Sequence, residues 1–290
     1  MEKIKRFVFQ VDSSLVKQYY NESDNIKVID DDKGDLNICV IYFSSNELYY
    51  PNTEASFQNA IVNKDKYEWQ NNHFPGVKRH IFVRDIQKQW YIEGVNAKLS
   101  TPDLLQKKLN ELSSGYMIYT IGSSAGGFAA MLFGSMLGAK KVYAFNAQMD
   151  LNVIIGESNP IIDPLLFRYV SDQCRSKFFT VSNFLNSETK YFYFQSARSI
   201  MDIAQFSSCS KKHLLTKLEF STSNHGFPFL RHDLSYVLKL SDQHLTRLAE
   251  KRMHPLVFSI QIHGVFQAIF LTVNAVKKRI GKKMLEKMYA

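Results

Sequence analysis

The chain has 290 residues, 45% of them hydrophobic and 13% aromatic, enough apolar material for one α/β domain of ordinary size with a large core. Its net charge of +9 is unevenly placed: residues 251–290 hold eight Lys or Arg against one acid, a net of +7, so the body is close to neutral and no nucleic acid partner is expected. Three cysteines, Cys39, Cys174 and Cys209, form no C-x-x-C and leave an odd one over, which argues against a disulfide framework and against a zinc or other metal site.

At the start of the chain, MEKIKRFVFQVD alternates like a strand instead of pairing a basic segment with a long apolar stretch. No signal peptide is expected, and a cytoplasmic location is the default. Arg6 to Val11 and Ile26 to Ile29 are predicted strands, followed by an acidic turn, DDDKGD, that lacks the spacing of a calcium loop. Leu36 to Tyr42 is a near-continuous apolar run, as in a sheet buried on both faces. The polar loop Phe43, Ser44, Ser45, Asn46 then lies at that strand's C-terminal edge.

Lys78 to Val83 is the next predicted strand, and it ends at Arg84 and Asp85 with Trp90 and Tyr91 close behind. Open α/β sheets bind ligands beyond the C-terminal ends of their strands, so Arg84, Asp85 and Trp90 are candidates to line a substrate site. The competing reading makes Trp90 a core anchor and Arg84 with Asp85 a surface pair. Thr101 as N-cap and Pro102 at the first helical position open an amphipathic helix to about Leu112.

The centre of the chain is the stretch from Tyr116 to Gly138. Tyr116 to Ile121 reads as a buried strand and Ala125 to Leu137 as a helix of small and apolar residues. Between them Gly122, Ser123, Ser124, Ala125 and Gly126 match G-x-S-x-G in the strand-to-helix context that a nucleophile elbow requires. The glycines remove side chains that would collide at a tight turn. A helix starting at Ala125 aims a free N–H at the space above Ser124 Oγ, so the Ala125 amide is a candidate oxyanion donor. In an enzyme of this build the second donor comes from a loop after another strand, and Ser44 is the candidate, with Phe43 and Ser45 beside it.

Lys141 to Phe145, Tyr191 to Gln195 and Lys217 to Ser221 are the remaining predicted strands. Alternation of strands and helices from Leu36 onward implies a mostly parallel sheet with right-handed crossovers. Residues 149–190 are irregular and are expected to form an insertion capping the site. Asp202 follows the penultimate strand and His225 follows the last, in a loop beside Gly226. The other histidines lie before the elbow or on predicted helices; Asp150, Asp163 and Asp172 precede the strand that presents the acid. A serine needs a base, and the base needs a carboxylate to fix its tautomer, so Ser124, Asp202 and His225 are read as nucleophile, acid and base.

These residues resemble those of the α/β-hydrolase superfamily over about residues 36–250, and GSSAGG with the compact size is similar to capsule and surface-polysaccharide O-acetyltransferases built on that fold. The resemblance implies an acyl-enzyme on Ser124 discharged to water or to a sugar hydroxyl, with acyl-CoA as donor if the enzyme is a transferase, although the chain shows no separate acyl-CoA signature. The alternative is a hydrolase-fold protein without chemistry, serving as an accessory or binding subunit. Residues 251–290 read as a basic tail: Pro255 to Val276 is apolar but interrupted by Gln261, His263, Gln267 and Asn274, and from Phe266 apolar residues recur at helical spacing among lysines. Such a helix suits an anionic membrane surface at the inner face, a partner, or the protein's own core.

Overall fold

The computed structural model describes residues 7–160, 164–274 and 277. Helix α1 (Ser14–Glu22) precedes strands β1 (Ile26–Asp30), β2 (Leu36–Phe43) and β3 (Val77–Val83). Helix α2 (Pro102–Leu112), capped by the Thr101 side chain on Leu104 N–H, leads to strand β4 (Met117–Ser123), helix α3 (Ala125–Met136) and strand β5 (Lys141–Phe145). Strand β6 (Lys190–Ser196), helix α4 (Ile200–Ser208), strand β7 (Leu215–Phe220) and helix α5 (Pro255–His263) complete the elements that position the site.

The seven strands form one sheet in the order β1-β3-β2-β4-β5-β6-β7. Only the edge strand β1 is antiparallel, against β3, and every other pairing is parallel. Side-chain alternation sends Cys39, Ile41 and Phe43 of β2 to one face and Val40 and Tyr42 to the other, and all five are buried. A sheet covered on both faces explains why these strands read as unbroken apolar runs. Helix α3 has no polar face and is buried from Ala125 to Ser135, so it sits within the core cluster.

Three expectations are corrected. Phe9–Asp12 is a helical turn, not part of a strand: Asp12 Oδ2 accepts from Val8 N–H, and the Phe9 ring packs edge-on to Phe57. Arg6 itself lies outside the described residues. The described part of 149–190 does not cap the site; Leu151, Phe178, Phe179 and Val181 are buried against the same sheet face as α3, and none of the segment lines the central cavity. Residue 250 is also no boundary of the body. Met253 continues the edge of β7 through backbone bonds with Glu219 and Ser221, and Phe258 of α5 packs in the core.

Candidate active site

Strand β4 ends in the elbow. Ser124 holds φ 53° and ψ −121°, a conformation that costs a non-glycine residue free energy and that its surroundings enforce. Its N–H donates to Phe145 O on β5, and its C=O accepts from Phe128 N–H in α3. A Cβ on Gly122 would lie 2.0 Å from Gly126 O, and one on Gly126 would lie 2.3 Å from Phe43 O. Both positions therefore have to be glycine, and Gly126 is where α3 meets the loop that leaves β2.

His225 Nε2 lies 2.8 Å from Ser124 Oγ, and His225 Nδ1 lies 2.7 Å from Asp202 Oδ1. Asp202 stands in the first turn of α4, where Ser199 Oγ caps its N–H, and it is buried, while His225 stays partly open to the cavity. The second carboxylate oxygen of Asp202 has no hydrogen-bond partner among the described residues, so its charge is directed at the imidazole alone. A buried carboxylate so placed can hold an Nδ1–H, leave Nε2 free to accept a serine proton, and stabilise an imidazolium.

The His225 loop is held by residues that sequence reasoning did not single out. Asn146, at the exit of β5, donates from Nδ2 to Ser196 Oγ at 2.9 Å and to the carbonyls of Asn224 and Gly226, which flank His225, at 3.2 and 3.3 Å. Ser196, the last residue of β6, donates from its N–H to Asn146 Oδ1 and from its hydroxyl to Asn224 O at 2.6 Å. The signal for both was their place at strand ends, Asn146 after the strand beside the elbow strand and Ser196 one strand further on.

The oxyanion donors divide. Ala125 N–H opens α3 and has no acceptor among the described residues. Ser44 is not the second donor, because its N–H bonds to Val83 O in the sheet ladder and its carbonyl accepts from Tyr91 Oη. Ser45, one residue on, lines the cavity, and its N–H donates to Glu68 Oε2 at 2.5 Å. Glu68 belongs to the long connection from β2 to β3, which no sequence pattern marked.

Arg84, Asp85 and Trp90 do not reach the cavity. Arg84 is buried, bonded to Asn25 Oδ1 and Lys66 O, ion-paired with Asp65 and packed over the Tyr67 ring. Asp85 accepts from the N–H groups of Gln87, Gln89 and Tyr91, and burial still pushes its carboxyl up to about 6. Trp90 is in the core, with its indole N–H on Gln148 Oε1. Together they build the loop whose Tyr91 fixes the Ser44 carbonyl. The cavity, about 700 Å³, is lined instead by Ser124 and His225, by Asn46, Glu47, Glu68, Asn224 and Arg231, and by Phe227 and Phe229. No cluster of His, Cys, Asp and Glu able to hold a metal occurs among the described residues.

No family model and no curated protein matches the chain. Among solved structures it is similar to a capsule O-acetyltransferase of Neisseria meningitidis serogroup A, at 14% identity over 79% of this chain and 93% of that one, with a TM-score of 0.49. It is also similar to an S-formylglutathione hydrolase from Agrobacterium tumefaciens, at 13% identity over 78% and 88% with a TM-score of 0.46, and to a Pyrobaculum calidifontis esterase, at 12% identity over 77% and 80% with a TM-score of 0.44. The strand order with its single antiparallel edge, the elbow after β4, and the segments after β6 and β7 that carry Asp202 and His225 give the chain the α/β-hydrolase fold.

Proposed function

We propose that this protein is a serine enzyme of acyl transfer or ester hydrolysis, working through an acyl-enzyme on Ser124, with a sugar hydroxyl of a bacterial surface glycan or water as acceptor. The observation that carries the reading is the continuous chain from Ser124 Oγ through His225 to buried Asp202, at 2.8 and 2.7 Å, on a strained elbow that opens into a cavity. His225 Nε2 takes the Ser124 proton as Oγ attacks the ester carbonyl. The tetrahedral oxyanion gathers on Ala125 N–H, and the imidazolium returns the proton to the leaving oxygen. His225 then deprotonates the acceptor hydroxyl, whose attack on the acyl-enzyme breaks the bond to Ser124 Oγ, and the imidazolium returns the proton to that oxygen.

The cavity lining supports a sugar acceptor. Asn46, Asn224 and Glu47 offer hydrogen-bonding groups, and the Phe227 and Phe229 rings offer apolar surface, which together suit the mixed faces of a sugar ring. Kinetics on p-nitrophenyl acetate test the serine chemistry. Ser124→Ala is expected to lower kcat by roughly ten-thousandfold or more at an unchanged melting temperature, and His225→Asn to do nearly the same. Retained turnover in Ser124→Ala would remove the reading. Adding an oligosaccharide acceptor and weighing the products separates transfer from hydrolysis.

A further inference from the structure

Helix α5 ends at Gly264, whose φ of 77° breaks it, and a second helix runs over 265–274. It touches the body through Ala268, which is wholly buried, while Leu271 and Thr272 are half-buried. Phe266, Ile269, Phe270 and Val273 share the opposite face at the i, i+3, i+4, i+7 spacing, and that face is open: Phe266 is 91% exposed and Phe270 60%. A surface helix usually turns its apolar stripe inward, so an outward stripe with two aromatic rings marks a contact surface. Leu256 and Val257 of α5 are exposed as well, and Pro255 beside them lines the active-site cavity.

Charge identifies what covers this face. Lys277 is exposed, and the sequence continues with Lys278, Arg279, Lys282, Lys283 and Lys287; Glu286 is the one acid in residues 251–290. A second copy of the chain carries the same positive charge and offers no excess of acid to balance it. An anionic lipid surface accepts both parts, with aromatic and aliphatic side chains at the acyl boundary and basic side chains among the phosphates. Among the described residues no helix is long and apolar enough to cross a membrane, so the contact lies along the surface. We infer that the face Phe266–Ile269–Phe270–Val273, followed by the exposed Lys277, is a docking surface for an anionic membrane. The inference stands apart from the chemistry at Ser124.

Vesicle flotation of the full-length protein tests it, using phosphatidylcholine alone and phosphatidylcholine mixed with phosphatidylglycerol, at low and high salt. The protein is expected to float with the anionic vesicles, to release as salt rises, and to ignore the neutral ones. Lys277→Glu with Lys278→Glu is expected to weaken binding by about fivefold or more for each charge changed, and Phe266→Ser with Phe270→Ser to weaken it likewise. Melting temperature and p-nitrophenyl acetate turnover of the variants are expected to match the parent, which shows that they fold. Equal binding to both vesicle types, no binding to either, or indifference to the phenylalanine changes would overturn the inference. A dimer in sedimentation that disperses in the Phe266→Ser, Phe270→Ser variant, without vesicle binding, would assign the face to a second copy.

Discussion

Asn146 is buried at the end of β5 in a left-handed conformation, φ 42°, and its amide reaches the carbonyl on each side of His225. His225 sits on a loop that these bonds and Ser196 tie to the strand ends, so its aim at Ser124 depends on them. Asn146→Ala is expected to lower kcat on p-nitrophenyl acetate by about ten- to a hundredfold with KM little changed, because the base is misplaced while the cavity keeps its shape. It also leaves the buried Ser196 N–H without its acceptor, at a cost of about 1–3 kcal/mol in denaturant unfolding. An unchanged kcat would show that the loop is held elsewhere. Glu68 acts in the opposite sense. Its carboxylate holds Ser45 N–H in a short charge-assisted bond, and a substrate oxygen that uses this donor must displace it. Glu68→Ala is therefore expected to raise kcat/KM for a small neutral ester severalfold, and a fall would show instead that Glu68 positions the loop.

At the scale of elements, the proposed oxyanion site depends on the contact between the start of α3 and the loop after β2. Gly126→Ala places a Cβ against the Phe43 carbonyl and must drive the two apart, which separates Ala125 N–H from Ser45 N–H. A loss of roughly a hundredfold in kcat/KM with the far-UV spectrum retained is the expected result. On β3, His80 is buried with Nδ1 accepting from Tyr42 Oη, which leaves Nε2 without a partner among the described residues. Burial, helped by the nearby His73 ring, holds its pKa down at about 4. The folded state therefore resists a proton that the unfolded chain accepts near 6.5, and stability falls as pH drops from about 6.5 toward 4. Urea unfolding at neutral pH and near pH 4.5 is expected to show this loss, on the order of 2 kcal/mol from His80, and His80→Phe is expected to flatten it. Equal pH dependence in the two proteins would assign the loss to other groups.

For the molecule as a whole, the parallel sheet and the meeting of Ser124, Asp202 and His225 were legible because each rests on a signal that survives translation into three dimensions. The strands are apolar throughout because both faces are covered, the elbow has a fixed glycine spacing, and acid and base follow successive strands that end on one edge of the sheet. Position after a strand does not say which way a side chain turns, and there the reading failed. Arg84 turns to Asn25 and Lys66, Asp85 into its own loop and Trp90 into the core, while the Ser44 N–H stays in the sheet ladder and Ser45 lines the cavity. Apolar patches in 149–190 mark a layer on the sheet as readily as a cap. The tail's charge was plain in the sequence, but only the exposure of Phe266 and Phe270 distinguishes an outward face from one folded onto the core. The basic stretch beyond Asn274, apart from Lys277, lies outside the described residues.

If His225 activates Ser124 as a nucleophile, that serine is open to covalent trapping. A fluorophosphonate is expected to add one phosphonyl group to the full-length protein, with peptide mass spectrometry placing it on Ser124, and His225→Asn is expected to slow the labelling by several orders of magnitude. No adduct, or an adduct on another residue with Ser124 untouched, would contradict it.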